Sequence, residues 1–299
     1  MAAAPVRGTQ SFVEVMSSVW RRPSLTGLEI AWRWVVGGPV VAVAVWQGMR
    51  VAGSVSLDTV GLQAMTVFQP VLAFRTLDAA LAVLTPAIRP VAVWLLPVAA
   101  VMWVIVAALG RTLVLRRLDA TMTARPLTLL ALSVLKVVSL GAVWWVWLWG
   151  FGSAVRVAIT GPAARGEQPS LVVFSAMVIC GTLALYVVWG VVSWPLQLAP
   201  LLAMRKDLGF VASLRQALGA GPVRGKLVEI NLVMHIVKIA LIVLAMVLSA
   251  SPLAFTSVET QEFLVCWWSG AVVLYLAASD YFHIVRAASY LALWRAYHP

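Results

Sequence analysis

The twenty residues "VAVWLLPVAAVMWVIVAALG" (91–110) contain no charged side chain and no polar one. A helix rising 1.5 Å per residue needs about 20 apolar residues to cross a hydrocarbon core of about 30 Å. This stretch meets that requirement alone, and it decides the class of the fold. With Pro90 it makes up the span 90–110, and the same test selects 30–49, 127–150, 171–195, 227–249 and 263–286. The chain therefore reads as an all-α integral membrane protein, a bundle of about six transmembrane helices flanked by amphipathic interfacial helices. Residues 1–28 form a cytoplasmic amphipathic helix and lead-in, and 29–299 the six-span domain. The first span is the least regular, carrying Arg33, Gly37-Gly38-Pro39 and Gln47. Its arginine lies near the inner end, where a long stem can snorkel to headgroups.

Composition points the same way. Hydrophobic residues make up 62% of the 299 residues and charged residues 11%, with a mean hydropathy of +0.96. Soluble domains carry about 25% charged residues, so this chain lacks the polar surface that water requires. Its formal net charge is +11. The basic residues fall in short clusters between apolar runs, which fits anionic headgroups and excludes nucleic acid as the expected partner. Cys180 and Cys266 sit inside apolar runs with no CxxC spacing, and read as small apolar residues. No small-residue cleavage site follows a short charged and apolar leader, so the amino terminus is expected to stay in place.

Charge also sets orientation. With the amino terminus inside, fifteen Lys and Arg fall on the cytoplasmic side and five outside, while Lys136 and Lys238 lie within spans. This is a positive-inside bias, and it predicts both termini in the cytoplasm. The tryptophans agree, with Trp144, Trp145, Trp147, Trp149, Trp267 and Trp268 at the outer interface and Trp20, Trp32, Trp34, Trp194 and Trp294 at the inner one. The preference for Arg over Lys, 18 to 4, and the heavy use of alanine match a bacterial chain, so the expected home is a bacterial inner membrane.

Three connections carry further signals. In "SFVEVMSSVWRRPS" (11–24), Phe12, Val15, Met16 and Val19 recur at helical spacing and Ser11 with Glu14 forms a capping box. An amphipathic helix on the inner face is expected there. Residues 51–89 form the longest outer connection, with a short helix capped by Asp58 and ending at Pro70, and a second over 71–84 before Pro86. Whether this region is re-entrant or lies on the outer surface stays open. In "LAMRKDLGFVASLRQALGAGPVRGK" (202–226), Asp207 is placed to cap a short helix ended by Gly219, and Pro195 and Pro200 bend the inner end of span four.

The spans themselves hold a polar cluster. Lys136, Asn231, His235, Lys238, Asp280 and His283 all lie in apolar helices. Ionisable groups there are costly and face the bundle interior, where they pair or work. Asn231, His235 and Lys238 fall within roughly a 60° sector at 100° per residue. Offsets along the spans put Lys136 and Asp280 within roughly 5 Å in depth, with Lys238 about one turn deeper. A lysine–aspartate pair across helices is the expected arrangement.

His235 and His283 on neighbouring antiparallel spans are the candidate axial ligands of a b-type haem, a weak signal for one pair at unequal depths. His235, His283 and Asp280 have metal-ligand chemistry without the HxxxH or HExxH spacing of a built site, so no metal and no cofactor is expected. No nucleophile elbow, Walker loop or GxGxxG fingerprint occurs, no catalytic residue is assigned, and an enzyme is the less favoured class. The leading expectation is a non-catalytic membrane component, a scaffold, assembly or lipid-organising subunit that contacts lipids and other membrane subunits. The alternatives are a transporter of a small solute, ion or lipid through the cluster between spans three, five and six, and a haem-bearing electron carrier.

Overall fold

The computed structural model describes residues 8–56, 61, 70–254 and 260–297. Every regular element among them is helical. In chain order they are α1 (Gly8–Trp20), α2 (Pro23–Ser54), α3 (Pro70–Leu118), α4 (Pro126–Val155), α5 (Gly161–Ala164), α6 (Leu171–Val192), α7 (Trp194–Arg205), α8 (Phe210–Leu218), α9 (Arg224–Ala250) and α10 (Gln261–Tyr297). A π turn, Arg156–Thr160, joins α4 to α5.

Six helical stretches are long and apolar enough to cross a membrane: Pro23–Ser54, Arg75–Leu118, Pro126–Ala164, Leu171–Arg205, Arg224–Ala250 and Gln261–Tyr297. They contain the six stretches selected from the sequence. Proline opens two of them, at Pro23 and Pro126, where its missing N–H costs nothing because the first turn has no partner for it.

Several local expectations change. No helix boundary falls at Pro86; α3 runs through Pro86, Pro90 and Pro97 as one element, so 71–84 is not a separate helix. Pro90 lacks the N–H that would have met the carbonyl of Pro86, and a helix tolerates such losses where its neighbours re-satisfy the backbone. The proposed cap at Asp58 lies outside the described residues. α1 begins at Gly8, so Ser11 is inside the helix rather than at its cap.

Asp207 does not cap α8 either. The helix starts after Gly209 with no side-chain cap. Asp207 instead has φ 56°, a left-handed conformation that Asp tolerates better than most side chains. The bend expected at Pro195 is present, since α6 ends and α7 begins on either side of Ser193. The ring of Pro195 would collide with the carbonyl of Val191, which forces the break.

The chain divides into two compact units, one of 1–33, 107–133 and 187–299 and one of 34–106 and 134–186. The boundaries fall inside α2, α3, α4 and α6. In the first unit, Leu198, Leu202, Met204, Val223, Leu227 and Tyr290 are fully buried, and the Tyr290 hydroxyl donates to the Leu227 carbonyl at 3.2 Å. A second apolar cluster joins Val19 of α1 and Leu25 of α2 to Met234, Ile284 and Val285. Phe12, Val15 and Met16 pack against it, and Tyr281 donates to the Met16 carbonyl at 3.0 Å. The apolar stripe read in 11–24 therefore meets α10.

Glycine sets one close approach here. A Cβ at Gly110 would lie 2.3 Å from the Trp32 ring, so only glycine lets α3 come this near to α2. In the second unit, Trp147 stacks on Phe151 with ring centres 5.6 Å apart and donates to Thr182 at 3.0 Å. Lys136 belongs to this unit, on α4.

Candidate functional site

The polar side chains of the first unit form a continuous network, and its centre is Glu29, a residue not singled out from the sequence. Glu29, the seventh residue of α2, is 3% exposed. Trp32, three residues on, donates its indole N–H to Glu29 Oε2 at 2.8 Å. Arg33, four residues on, brings Nε to 2.8 Å from Glu29 Oε1, a contact of opposite charges whose N–H is not aimed along the line. Helical spacing of three and four is what gathers all three side chains on one face.

Arg33 then reaches α10. Its Nη1 donates to Asp280 Oδ1 at 2.8 Å, with the Asp280 side chain 6% exposed and Arg33 16%. Arg33 thus joins two carboxylates on different helices, which replaces the expected snorkelling contact with headgroups. On α10, His283 follows Asp280 by three residues. Its Nδ1 lies 3.4 Å from Glu29 Oε1, and its Nε2 lies 2.9 Å from Arg286 Nη2. A guanidinium can only donate, so Nε2 accepts and the ring proton belongs on Nδ1, facing Glu29.

Arg286 continues the network to α9. Its Nη1 donates to Asn231 Oδ1 at 3.4 Å, and the Asn231 amide donates to the Gly190 carbonyl at 2.6 Å and to Ser193 Oγ at 3.1 Å. Asn231 therefore bridges the break between α6 and α7, meeting a carbonyl in the last turn of α6 and the hydroxyl of the residue between the two helices. His235 Nδ1 lies 2.7 Å from the Asn231 carbonyl. Its ring packs on Gly190, where a Cβ would come to 3.3 Å. Lys238 is half-buried, attracted by Asp280 and repelled by Arg33 and Arg286.

Five of the six residues singled out from the sequence, Asn231, His235, Lys238, Asp280 and His283, thus lie in one unit, and Lys136 in the other. The site also contains four residues outside that set, Glu29, Arg33, Arg111 and Arg286. The available signal was the Glu29–Arg33 spacing of four at the start of a span, together with the spacing of three from Asp280 through His283 to Arg286. Both ring nitrogens of His283 face protein groups, so an iron ligand at this position would have to displace Arg286 or Glu29. Among the described residues, no group of three or more His, Cys, Asp and Glu is arranged to hold a metal ion.

A small pocket with a cavity volume of about 40 Å³ opens beside the network. Arg111 of α3, Gln197 of α7, and Glu29, His283 and Arg286 supply its polar lining, with Leu115, Leu201 and Ile284 among the apolar part. Two further ion pairs lie away from it. Arg295 holds Asp119, which also accepts from the Thr121 hydroxyl at 2.7 Å. Arg125 holds Asp207 through Nε at 2.6 Å, with the Thr123 hydroxyl at 3.0 Å. Burial pushes the Asp119 carboxyl up, but the hydrogen bonds from Thr121 and Arg295 outweigh it and leave it below the ordinary carboxylate value. Hydrogen bonds from Arg125 and Thr123 do the same for Asp207.

The elements define a helical protein with six potential membrane spans and a buried charge network in one of its two units. Compared with family models, curated proteins and solved structures, the chain matches none.

Proposed function

We propose that this chain is a multi-pass protein of a bacterial cytoplasmic membrane, with both termini inside, acting as a non-catalytic component that organises lipid or holds an assembly together. The observation that carries the reading is the way the buried ionisable groups hold one another. Glu29, Arg33, Asp280, His283, Arg286 and Asn231 form a connected set of contacts across α2, α9 and α10. Such a set fixes helix register. No more than 17% of the most apolar window of any span is buried within the chain, which leaves those surfaces for lipid or for partner subunits.

The pocket beside Arg111 favours a second reading, in which the chain moves a small solute, ion or lipid. Proteoliposomes loaded with a pH-sensitive dye separate the two for protons. A structural network gives no proton flux above empty vesicles, and Asp280→Asn leaves the trace unchanged. A flux that Asp280→Asn abolishes overturns the structural reading. Resistance of the protein to alkaline-carbonate extraction tests membrane integration itself.

A further inference from the structure

Arg111 lines the pocket with a charge that the network's hydrogen bonds and ion pairs do not use. Among the described residues it makes no hydrogen bond and no ion pair; Glu29 attracts it from a distance, and Arg33 and Arg286 repel it. It lines the pocket opposite no carboxylate of its own, because Glu29 already takes Trp32, Arg33 and His283. The local charges do not cancel. Among the described residues of the network and the pocket wall, three guanidinium groups, Arg33, Arg111 and Arg286, stand against two carboxylates, Glu29 and Asp280, one positive charge in excess before Lys238 is counted. An uncompensated cation in a poorly solvated place is destabilising by several kcal/mol unless an anion meets it.

Gln197 adds an amide to the same wall, and it too makes no hydrogen bond among the described residues. Leu115 and Leu201 supply apolar surface alongside. Guanidinium groups match phosphate oxygens with paired N–H donors, and an amide donor completes such a cradle. We infer that the pocket between Arg111 and Arg286 binds one singly charged phosphate group, with Arg111 as its main contact and Gln197 beside it. The inference rests on the membrane-component reading and names the ligand that component holds. The group arrives either as the phosphodiester of an anionic lipid or as free phosphate.

The test uses the full chain in a mild detergent. Thermal unfolding is followed while phosphatidylglycerol, phosphatidylcholine or sodium phosphate is added, with sodium chloride matched for ionic strength. The wild type is expected to show a saturable rise in Tm with one of the two anionic probes. Phosphatidylcholine, whose ammonium Arg111 repels, is expected to give none. A response to phosphatidylglycerol alone identifies the lipid source, and a response to phosphate identifies the free ion.

Arg111→Gln is expected to weaken that response by about tenfold or more, while Arg116→Gln, at an exposed site one and a half turns on, leaves it intact. If Arg111→Gln does not fold, Arg111→Lys keeps the charge, loses the fork, and still weakens binding several-fold. The site is overturned if neither anionic probe shifts the wild type, or if a folded Arg111 variant responds as the wild type does. Carbonate resistance is unaffected by either result, so failure of the site and failure of the membrane reading give different signatures.

Discussion

At Gly110 the backbone of α3 lies against the Trp32 ring, and the ring cannot retreat easily because its N–H is held by Glu29. A Cβ placed 2.3 Å from that ring must move a helix or break the hydrogen bond. Gly110→Ala is expected to cost about 1–3 kcal/mol, read as a lower Tm in detergent. Gly190→Ala, where the contact with His235 is 3.3 Å, is expected to cost less. Equal melting of the two variants would contradict this ranking. Asp280 offers a second comparison. Asp280→Ala removes one of the two carboxylates that hold Arg33 and leaves Glu29 alone against the buried guanidinium groups. It is expected to cost about 3–5 kcal/mol, whereas Glu262→Ala, exposed in the first turn of α10, should stay within about 0.5 kcal/mol. The yield of folded, monodisperse protein checks it. The need for a cation near Asp280 was legible in the sequence, because an aspartate inside an apolar helix demands one. That α2 supplies Arg33 was not, since an arginine near the end of an irregular span also satisfies itself by reaching headgroups.

Among the elements, prolines carried mixed information. Those at Pro23 and Pro126 marked helix starts, and Pro195 marked the break that Asn231 now bridges. Pro86, Pro90 and Pro97 marked nothing that shows, because a missing N–H is a local loss that a long helix can absorb. The connections are held by different forces. The turn before α4 is tied to the α7–α8 turn by Arg125 and Asp207, by Thr123, and by the Thr123 N–H on the Met204 carbonyl at 2.9 Å. Both Asp119 and Asp207 sit below their ordinary value of 3.8. A carboxylate so depressed stabilises the fold fully above its unfolded value, and that contribution disappears as pH falls through the lower folded value. These turns are therefore expected to open below about pH 3.8, with faster amide exchange over 119–125 and 206–209. The Arg125–Asp207 pair is exposed, so the change is expected to be local opening rather than global unfolding. Exchange that is flat from pH 6 to pH 3 after correction for intrinsic rates would remove the pairs from any role.

For the whole molecule, apolar length fixed the number of candidate spans because crossing hydrocarbon is a requirement on each helix separately. The contacts among those helices depend on pairs far apart in sequence, such as Arg33 with Asp280, and no local pattern encodes them. Orientation is again a local matter, carried by the fifteen-to-five distribution of Lys and Arg. It predicts the Gly166 turn, with φ 73° between α5 and α6, on the outer side, and the α7–α8 turn at Leu208 on the inner side. Alkaline phosphatase fused after Gly166 is expected to be active, and fused after Leu208 inactive, with a cytoplasm-dependent fluorescent protein giving the opposite pattern. Because Arg205, Lys206, Arg215, Arg224 and Lys226 cluster around the inner turn, replacing all five with Gln should raise phosphatase activity at Leu208. Changing Arg156 and Arg165 on the outer side should leave it low. If the first replacement has no effect, retention is set by helix packing rather than by charge. If the parent fusions are reversed, the bundle is inverted and Arg111 opens to the opposite leaflet.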